Sequence, residues 1–174
     1  MASISGKVPD RYPVIDAHPS SLLDFDFNPM HDNVIATCSR ETVIKLCVSS
    51  LSPSLSTSQV AHLLVDLHSW QIPEQGISSK MTQPAHVLSG HTNRVVTLTF
   101  HPIADNLLLS TAADKTYKLW DLTANAEALS IEAPDDVVQS VVWNEGGTLF
   151  ATSCVKDKKL RIYDPRQNKI VAVR

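Results

Sequence analysis

One pattern is written three times in this chain, and that repetition limits the fold more than any other feature. The clearest copy runs Gly90-His91-Thr92-Asn93-Arg94, Val95 to Phe100, His101-Pro102, Asn106 to Ser110, Asp114, and Tyr117-Lys118-Leu119-Trp120-Asp121. At a constant offset of 73 upstream, His18 answers His91, Phe27 answers Phe100, Pro29 answers Pro102, Asn33 answers Asn106 and Leu46 answers Leu119. At an offset of 43 downstream, Val138 answers Val95, Trp143 answers Phe100, Asp157 answers Asp114, Ile162 answers Leu119, Tyr163 answers Trp120 and Asp164 answers Asp121. A unit of this size cannot bury its own apolar face, so neighbouring units must stack.

Within a unit, Val95 to Phe100, Leu107 to Thr111 and Thr116 to Trp120 are short runs rich in Val, Leu, Thr and aromatics, which is strand chemistry. Pro102 with Asp105-Asn106 supplies a turn between the first two runs, and Glu145-Gly146-Gly147 does so in the third unit. No stretch keeps a 3.6-residue period between caps, so the expected class is all-β. Units near 43 residues with several strands each point to the blades of a β-propeller.

Composition narrows the chemistry. With 43% hydrophobic and 19% charged residues the chain can build a core. A formal net charge of -3 argues against nucleic acid or an anionic membrane surface as a partner. No apolar run approaches the roughly 18 residues of a membrane span, and the first residues lack the apolar core of a secretory signal. Cys38, Cys47 and Cys154 are odd in number and have no CxxC spacing, so reduced intracellular thiols are expected rather than a disulfide frame or a zinc site. His62, His68, Cys47 and His86 likewise lack zinc spacing. No P-loop or dinucleotide motif is present, and no metal or cofactor is expected. His18, Ser20 and Asp24 lie close in sequence, but no strained nucleophile turn accompanies them, so no enzymatic activity is expected.

Gly90-His91 at the opening and Trp120-Asp121 at the close resemble a WD40 repeat. The resemblance implies a buried hydrogen-bonded set of His91, Ser110 or Thr111, Asp114 and Trp120. Such a set is physically reasonable, because a buried carboxylate needs donors and imidazole, hydroxyl and indole N–H supply them. The other units depart from the pattern. The first has Ala17-His18 and Glu41, and the third has Pro134 in place of the His and Tyr163 in place of the Trp, so weaker or rearranged networks are expected there. Asp24 to Pro29, His31 to Thr37, Trp70 to Glu74, Gly90 to Val96 and Leu160 to Arg166 are similar to coronin propeller sequence. The opening Gly6 to Pro13 is most similar to the long, tandem-propeller coronins. The resemblance implies a seven-bladed ring, of which this chain would supply about three four-stranded blades. The expected division is an orphan outer strand at 10–16, a blade at 17–46 with an insertion at 47–69, a blade at 70–131 and a blade at 132–174. Ile170 to Val173 is the expected last outer strand. A partial ring exposes sheet edges and blade faces, so poor solubility or need of a partner is expected.

The insertion follows from the arithmetic. The first interval exceeds the second by 30 residues, and the excess follows Leu46. Removing the 23 residues Cys47 to Ser69 joins Leu46 to Trp70 and sets Trp70 six residues after Glu41, the spacing of Asp114 to Trp120. Residues 47–69 are thus expected to interrupt a third strand at its structural Trp, either as a retained intron or alternative exon or as a loop insertion in which Cys47 replaces the Trp. Val60 to Leu67 is apolar enough to add an outer strand.

Candidate partner residues lie on the turns of one face: Asn93, Arg94 and Lys115 in the second unit, and Lys156, Lys158, Lys159 and Arg161 in the third. The coronin resemblance implies filamentous actin as partner, with a cytoplasmic, cytoskeleton-associated location, and for the long type Golgi-linked vesicle trafficking. The bland alternative for the basic cluster is a solvated hairpin. Tyr163-Asp164-Pro165-Arg166 resembles the W/Y-D-x-R box of receptors for cullin-4 ubiquitin ligases, whose Arg could pair with carboxylates of an adaptor. Its alternative is a blade end followed by an outward Arg.

Overall fold

The structure, a computed structural model, describes residues 14–31, 34–40, 44–46, 66–71, 86–133, 137–154, 156 and 158–174. They form three antiparallel β-sheets with no helix among the described residues. The first sheet contains β1 (Leu22–Phe27), β2 (Val34–Ser39), β3 (Ile44–Leu46), β4 (Asp66–Gln71) and β5 (His86–Ser89). The second contains β6 (Val95–Phe100), β7 (Leu107–Ala112), β8 (Thr116–Asp121) and β9 (Ala126–Glu132). The third contains β10 (Val138–Trp143), β11 (Phe150–Cys154), β12 (Leu160–Asp164) and β13 (Lys169–Val173). This is the all-β, partial WD40 propeller architecture that the repeats imply. The second and third sheets run in simple sequence order, β6-β7-β8-β9 and β10-β11-β12-β13.

Sheet membership does not divide the chain where the repeat count does. Counting sets boundaries at 70 and 132, whereas hydrogen bonding places β4 and β5 in the first sheet and starts the second at Val95. A repeat of this kind opens on the outer edge of the preceding sheet, so the repeat unit and the sheet are out of phase. Of the expected strand at 10–16, Ile15 is an isolated bridge residue and 10–13 lie outside the described residues.

The first sheet has five strands because its third strand is built from two pieces. In β3, Ile44, Lys45 and Leu46 face Cys38, Thr37 and Ala36 of β2. The next two β2 positions, Ile35 and Val34, face Trp70 and Gln71 of β4. Leu46 and Trp70 therefore hold consecutive places in one ladder, which is the register that joining them directly would produce. The start of β4 lies elsewhere: Asp66, Leu67 and His68 pair with Ser89, Leu88 and Val87 on the outer side of β5. Of the outer strand expected over Val60 to Leu67, only its last two residues fall in β4; 60–65 lie outside the described residues. A variant lacking 47–69 is expected to keep β1, β2, β3 and β5 with Trp70 continuing β3, removal of a loop closure offsetting the lost pairing of Asp66 to His68 with β5 to within about 1 kcal/mol. Urea unfolding measures this, and loss of the sheet in that variant would show that the two pieces are not one strand.

Alternation along the strands of the second sheet sends side chains to both neighbours. Leu108 and Trp120 pack into a buried cluster with Val34, Ala36, Cys38 and Leu88 of the first sheet. Leu109 and Tyr117 pack into another with Val138, Val141, Phe150 and Tyr163 of the third. Tyr163 and Phe150 stack with ring centroids 5.2 Å apart. Cys38 and Cys154 are buried and not joined in a disulfide, and burial holds the Cys38 thiol far above its ordinary pKa. Cys47 lies outside the described residues.

Polar staples lock the seams. Asn28 Nδ2 donates to the carbonyl of Asp105 at 2.8 Å, and His101 Nε2 donates to the carbonyl of Gly147 at 2.8 Å. The two donors occupy the same repeat position, 73 residues apart. Gly147 has φ +62, and a Cβ there would lie 2.2 Å from the His101 ring, so conformation and contact both require glycine. Inner strands are also bridged. Asp24 Oδ2 accepts from Thr97 Oγ1 at 2.6 Å and from the Leu98 amide at 3.1 Å, and Asp26 Oδ2 accepts from the Phe100 amide at 2.9 Å. Burial, opposed by its hydrogen bonds, pushes the Asp26 carboxyl above the usual range.

Candidate functional site

The second sheet carries a satisfied polar network under its turns. Trp120 Nε1 donates to Ser110 Oγ at 2.8 Å, Ser110 Oγ is 2.8 Å from His91 Nε2, and His91 Nδ1 is 3.0 Å from Asp114 Oδ2. One proton arrangement satisfies all four: indole to hydroxyl, hydroxyl to Nε2, and Nδ1–H to carboxylate. Asp114 also accepts from the amide of Thr92 at 2.9 Å, the amide of Thr116 at 3.0 Å and the hydroxyl of Thr116 at 2.8 Å. Burial opposes ionisation of Asp114, but the hydrogen bonds and charge of His91, with those from Thr116 and Thr92, hold its carboxyl well below the usual range. Gly90 lets this set close, because a Cβ there would meet the Trp120 ring at 3.0 Å and Glu127 at 3.2 Å. Of the two hydroxyls that spacing left open, Ser110 is in the network. Thr111 is equally buried, but its hydroxyl has no partner among the described residues.

The other sheets differ. In the first, His18 Nε2 lies 3.1 Å from Thr37 Oγ1, the counterpart of Ser110, while Glu41 lies outside the described residues. Trp70 is placed by its backbone opposite Ile35. In the third, aromatic packing replaces the polar set: Tyr163, Phe150, Tyr117 and Trp143 form a cluster, with Tyr117 Oη 3.3 Å from Thr152 Oγ1. Asp157 and Pro134 lie outside the described residues. His18 Nε2 lies near the Thr37 hydroxyl, and Asp24 accepts from the Thr97 hydroxyl. Among the described residues no group of three or more His, Cys, Asp or Glu side chains could hold a metal ion. No helix among them is long and apolar enough to cross a membrane.

The network supports an exposed face. Its turns join β5 to β6, β7 to β8 and β11 to β12, and the first two are tied by the Ala113 amide donating to the Arg94 carbonyl at 2.9 Å. Asn93, Arg94, Lys115, Lys156, Lys158 and Lys159 are all exposed there. Asn93 Oδ1 accepts from the Arg94 amide at 2.8 Å, which fixes the first turn. Lys115 and Lys158, 43 residues apart, share the left-handed conformation with φ 65 and 56. Arg161 does not belong to this surface. It is 7% exposed, and its Nη1 reaches Cys154 Sγ at 3.2 Å, because its place on β12 turns the side chain into the sheet packing. Arg166, on the opposite end of the sheets, is 68% exposed and is held by Asp164, whose Oδ1 accepts from the Arg166 amide at 3.0 Å.

Sequence reasoning missed Asp24, Asp26, Asn28 and His101 as the links between sheets. The available signal was a polar residue kept at the position just after an inner strand, in Asn28 and His101 alike.

Comparison with known proteins follows the same geometry. The family model described as WD domain, G-beta repeat matches residues 82–121 and 127–164. The chain is 32% identical over 171 residues to Coronin-like protein crn1 of Schizosaccharomyces pombe, covering 97% of this chain and 24% of that protein. It is 39% identical over 101 residues to Coronin-7 of Rattus norvegicus, covering 58% of this chain and 11% of that protein. It is 34% identical over 168 residues to Villidin of Dictyostelium discoideum, covering 92% and 8% respectively. Among solved structures, the WD40 domain of Toxoplasma gondii coronin matches with a TM-score of 0.73 at 24% identity, over 92% of this chain and 35% of that one. The chain thus spans a quarter or less of the length of these three curated relatives.

Proposed function

We propose that this WD-repeat chain, which is similar to coronins, is a non-catalytic interaction scaffold that binds actin filaments and helps to organise the actin cytoskeleton. The observation that carries this reading is the exposed face bearing Arg94 and Lys115, whose turns are braced by the His91–Ser110–Asp114–Trp120 network, together with Lys156, Lys158 and Lys159 on the neighbouring turn of the third sheet. Opposite charge on a filament surface would meet these cations, so binding should weaken with salt. The corresponding location is the cytoplasm, on the cytoskeleton. Golgi-linked vesicle trafficking is a narrower proposal, supported by the opening segment Gly6 to Pro13 alone.

A second reading is favoured by one observation: Arg166, in the Tyr163-Asp164-Pro165-Arg166 segment, stands exposed and oriented by Asp164. It would make the chain a module that docks on the adaptor of a cullin-type ubiquitin ligase. Co-sedimentation with actin filaments, beside pull-down of that adaptor, separates the two. The actin reading expects the chain to pellet with filaments and to be released by salt. Pelleting no greater than without filaments, together with capture of the adaptor, would transfer the function to the second reading.

A further inference from the structure

We propose that the seam between the second and third sheets holds a binding site for a short peptide segment that carries one apolar side chain next to an Asp or Glu. This does not depend on the actin reading. A cavity of about 240 Å³ opens there, lined by His101, Leu107, Leu119, Trp143, Pro165 and Arg166, with Gly147 at its wall. It lies at the end of the sheets opposite the lysine-bearing turns. Its size is below the roughly 300 Å³ at which pockets for whole small molecules begin, so a single Leu- or Phe-sized side chain suits it better than a cofactor. The walls are preorganised. His101 is fixed at Nε2 by the Gly147 carbonyl and at Nδ1 by the Ala104 amide at 2.8 Å, and its ring meets Trp143 edge-on with centroids 4.7 Å apart.

The charge at the rim selects the neighbour of that side chain. Asp164 engages the amide and Nε of Arg166, and among the described residues no partner is recorded for the terminal nitrogens of its guanidinium. A planar fork of this kind suits a carboxylate.

The equivalent seam between the first and second sheets provides an internal contrast. There Leu122 and Thr123 stand where Pro165 and Arg166 stand, and the cavity is lined by Asn28, His31 and Asp105. It is the more polar of the two and bears the Asp105 carboxylate in place of an arginine, so it would disfavour the same ligand.

The test measures fluorescence anisotropy of the full 174-residue chain with three labelled heptapeptides. One has a central Leu-Asp-Asp, one has the Leu replaced by Gly, and one has both Asp replaced by Lys. The expected result is binding of the first peptide, weakened at least about tenfold by either peptide change. In Arg166→Glu the preference should reverse, so that the Lys peptide binds better than the Asp peptide. Circular dichroism of Arg166→Glu should show the wild-type fold, with melting lowered by no more than a few degrees from loss of the Asp164 ion pair. No measurable binding of the Leu-Asp-Asp peptide would overturn the proposal. Equal binding of all three peptides, or an unchanged preference in Arg166→Glu, would overturn it too.

Discussion

Trp120→Ala is expected to destabilise the protein by about 3–5 kcal/mol, the range for removing a large aromatic from a packed core. The side chain is 1% exposed and lies in the cluster that joins the first two sheets. Its loss opens a cavity between Leu88, Leu98 and Leu108 and removes the indole donor to Ser110. Trp120→Phe separates the two contributions. It keeps an aromatic ring in the core but loses the N–H and part of the indole volume, at a cost of about 1–3 kcal/mol. Urea unfolding followed by circular dichroism measures both variants. Equal costs for the two would mean that packing matters little at this site and that the hydrogen bond dominates.

The second large effect is at Asp114. Asp114→Ala removes the acceptor of His91, of the Thr116 hydroxyl and of the Thr92 and Thr116 amides, and is expected to cost about 3 kcal/mol at neutral pH. Acid sensitivity provides a sharper signature. The folded-state pKa of Asp114 lies below its ordinary value of 3.8, so the stability it adds is complete above that value and is lost as pH falls below it. The stability difference between wild type and Asp114→Asn should therefore be constant near neutrality and shrink as pH drops below about 4. A difference that stays constant or grows in that range would contradict the ionised, His-paired state of Asp114.

Local chemistry explains what could be read from the residues. Val95 to Phe100 forms a strand over that whole span, and Leu107 and Thr116 begin the next two, because β-rich runs bounded by turn residues leave little choice. The place of Trp70 after Leu46 was legible because register counts residues and the ladder opposite β2 does the same. Contacts without a fixed local spacing were not legible. Asp24 and Asp26 look like exposed polar positions on an inner strand, and only stacking of the sheets brings them to the amides of Leu98 and Phe100. Arg161 was misread for the opposite reason. It lies in a basic run, but as the second residue of β12 it alternates with the exposed Leu160 and turns toward Cys154, whereas Lys158 and Lys159 sit in the turn before the strand. The choice of Ser110 over Thr111 is likewise a matter of strand face, since adjacent residues point to opposite sides.

The apolar side chains at the two ends of the array have a consequence for handling the protein. Phe25 and Phe27 on β1 are 59% and 49% exposed, and Val142 on β10 and Val171 on β13 are 59% and 53% exposed. Such faces favour association, so binding measurements need samples cleared of aggregates beforehand.

The most direct test of the scaffold reading is co-sedimentation with actin filaments of a triple variant, Arg94→Glu with Lys115→Glu and Lys158→Glu, beside wild type. All three side chains are exposed on one face. An unchanged melting curve and at least about tenfold weaker filament binding are expected for the variant. A variant that melts like wild type and pellets with filaments as wild type does would contradict it.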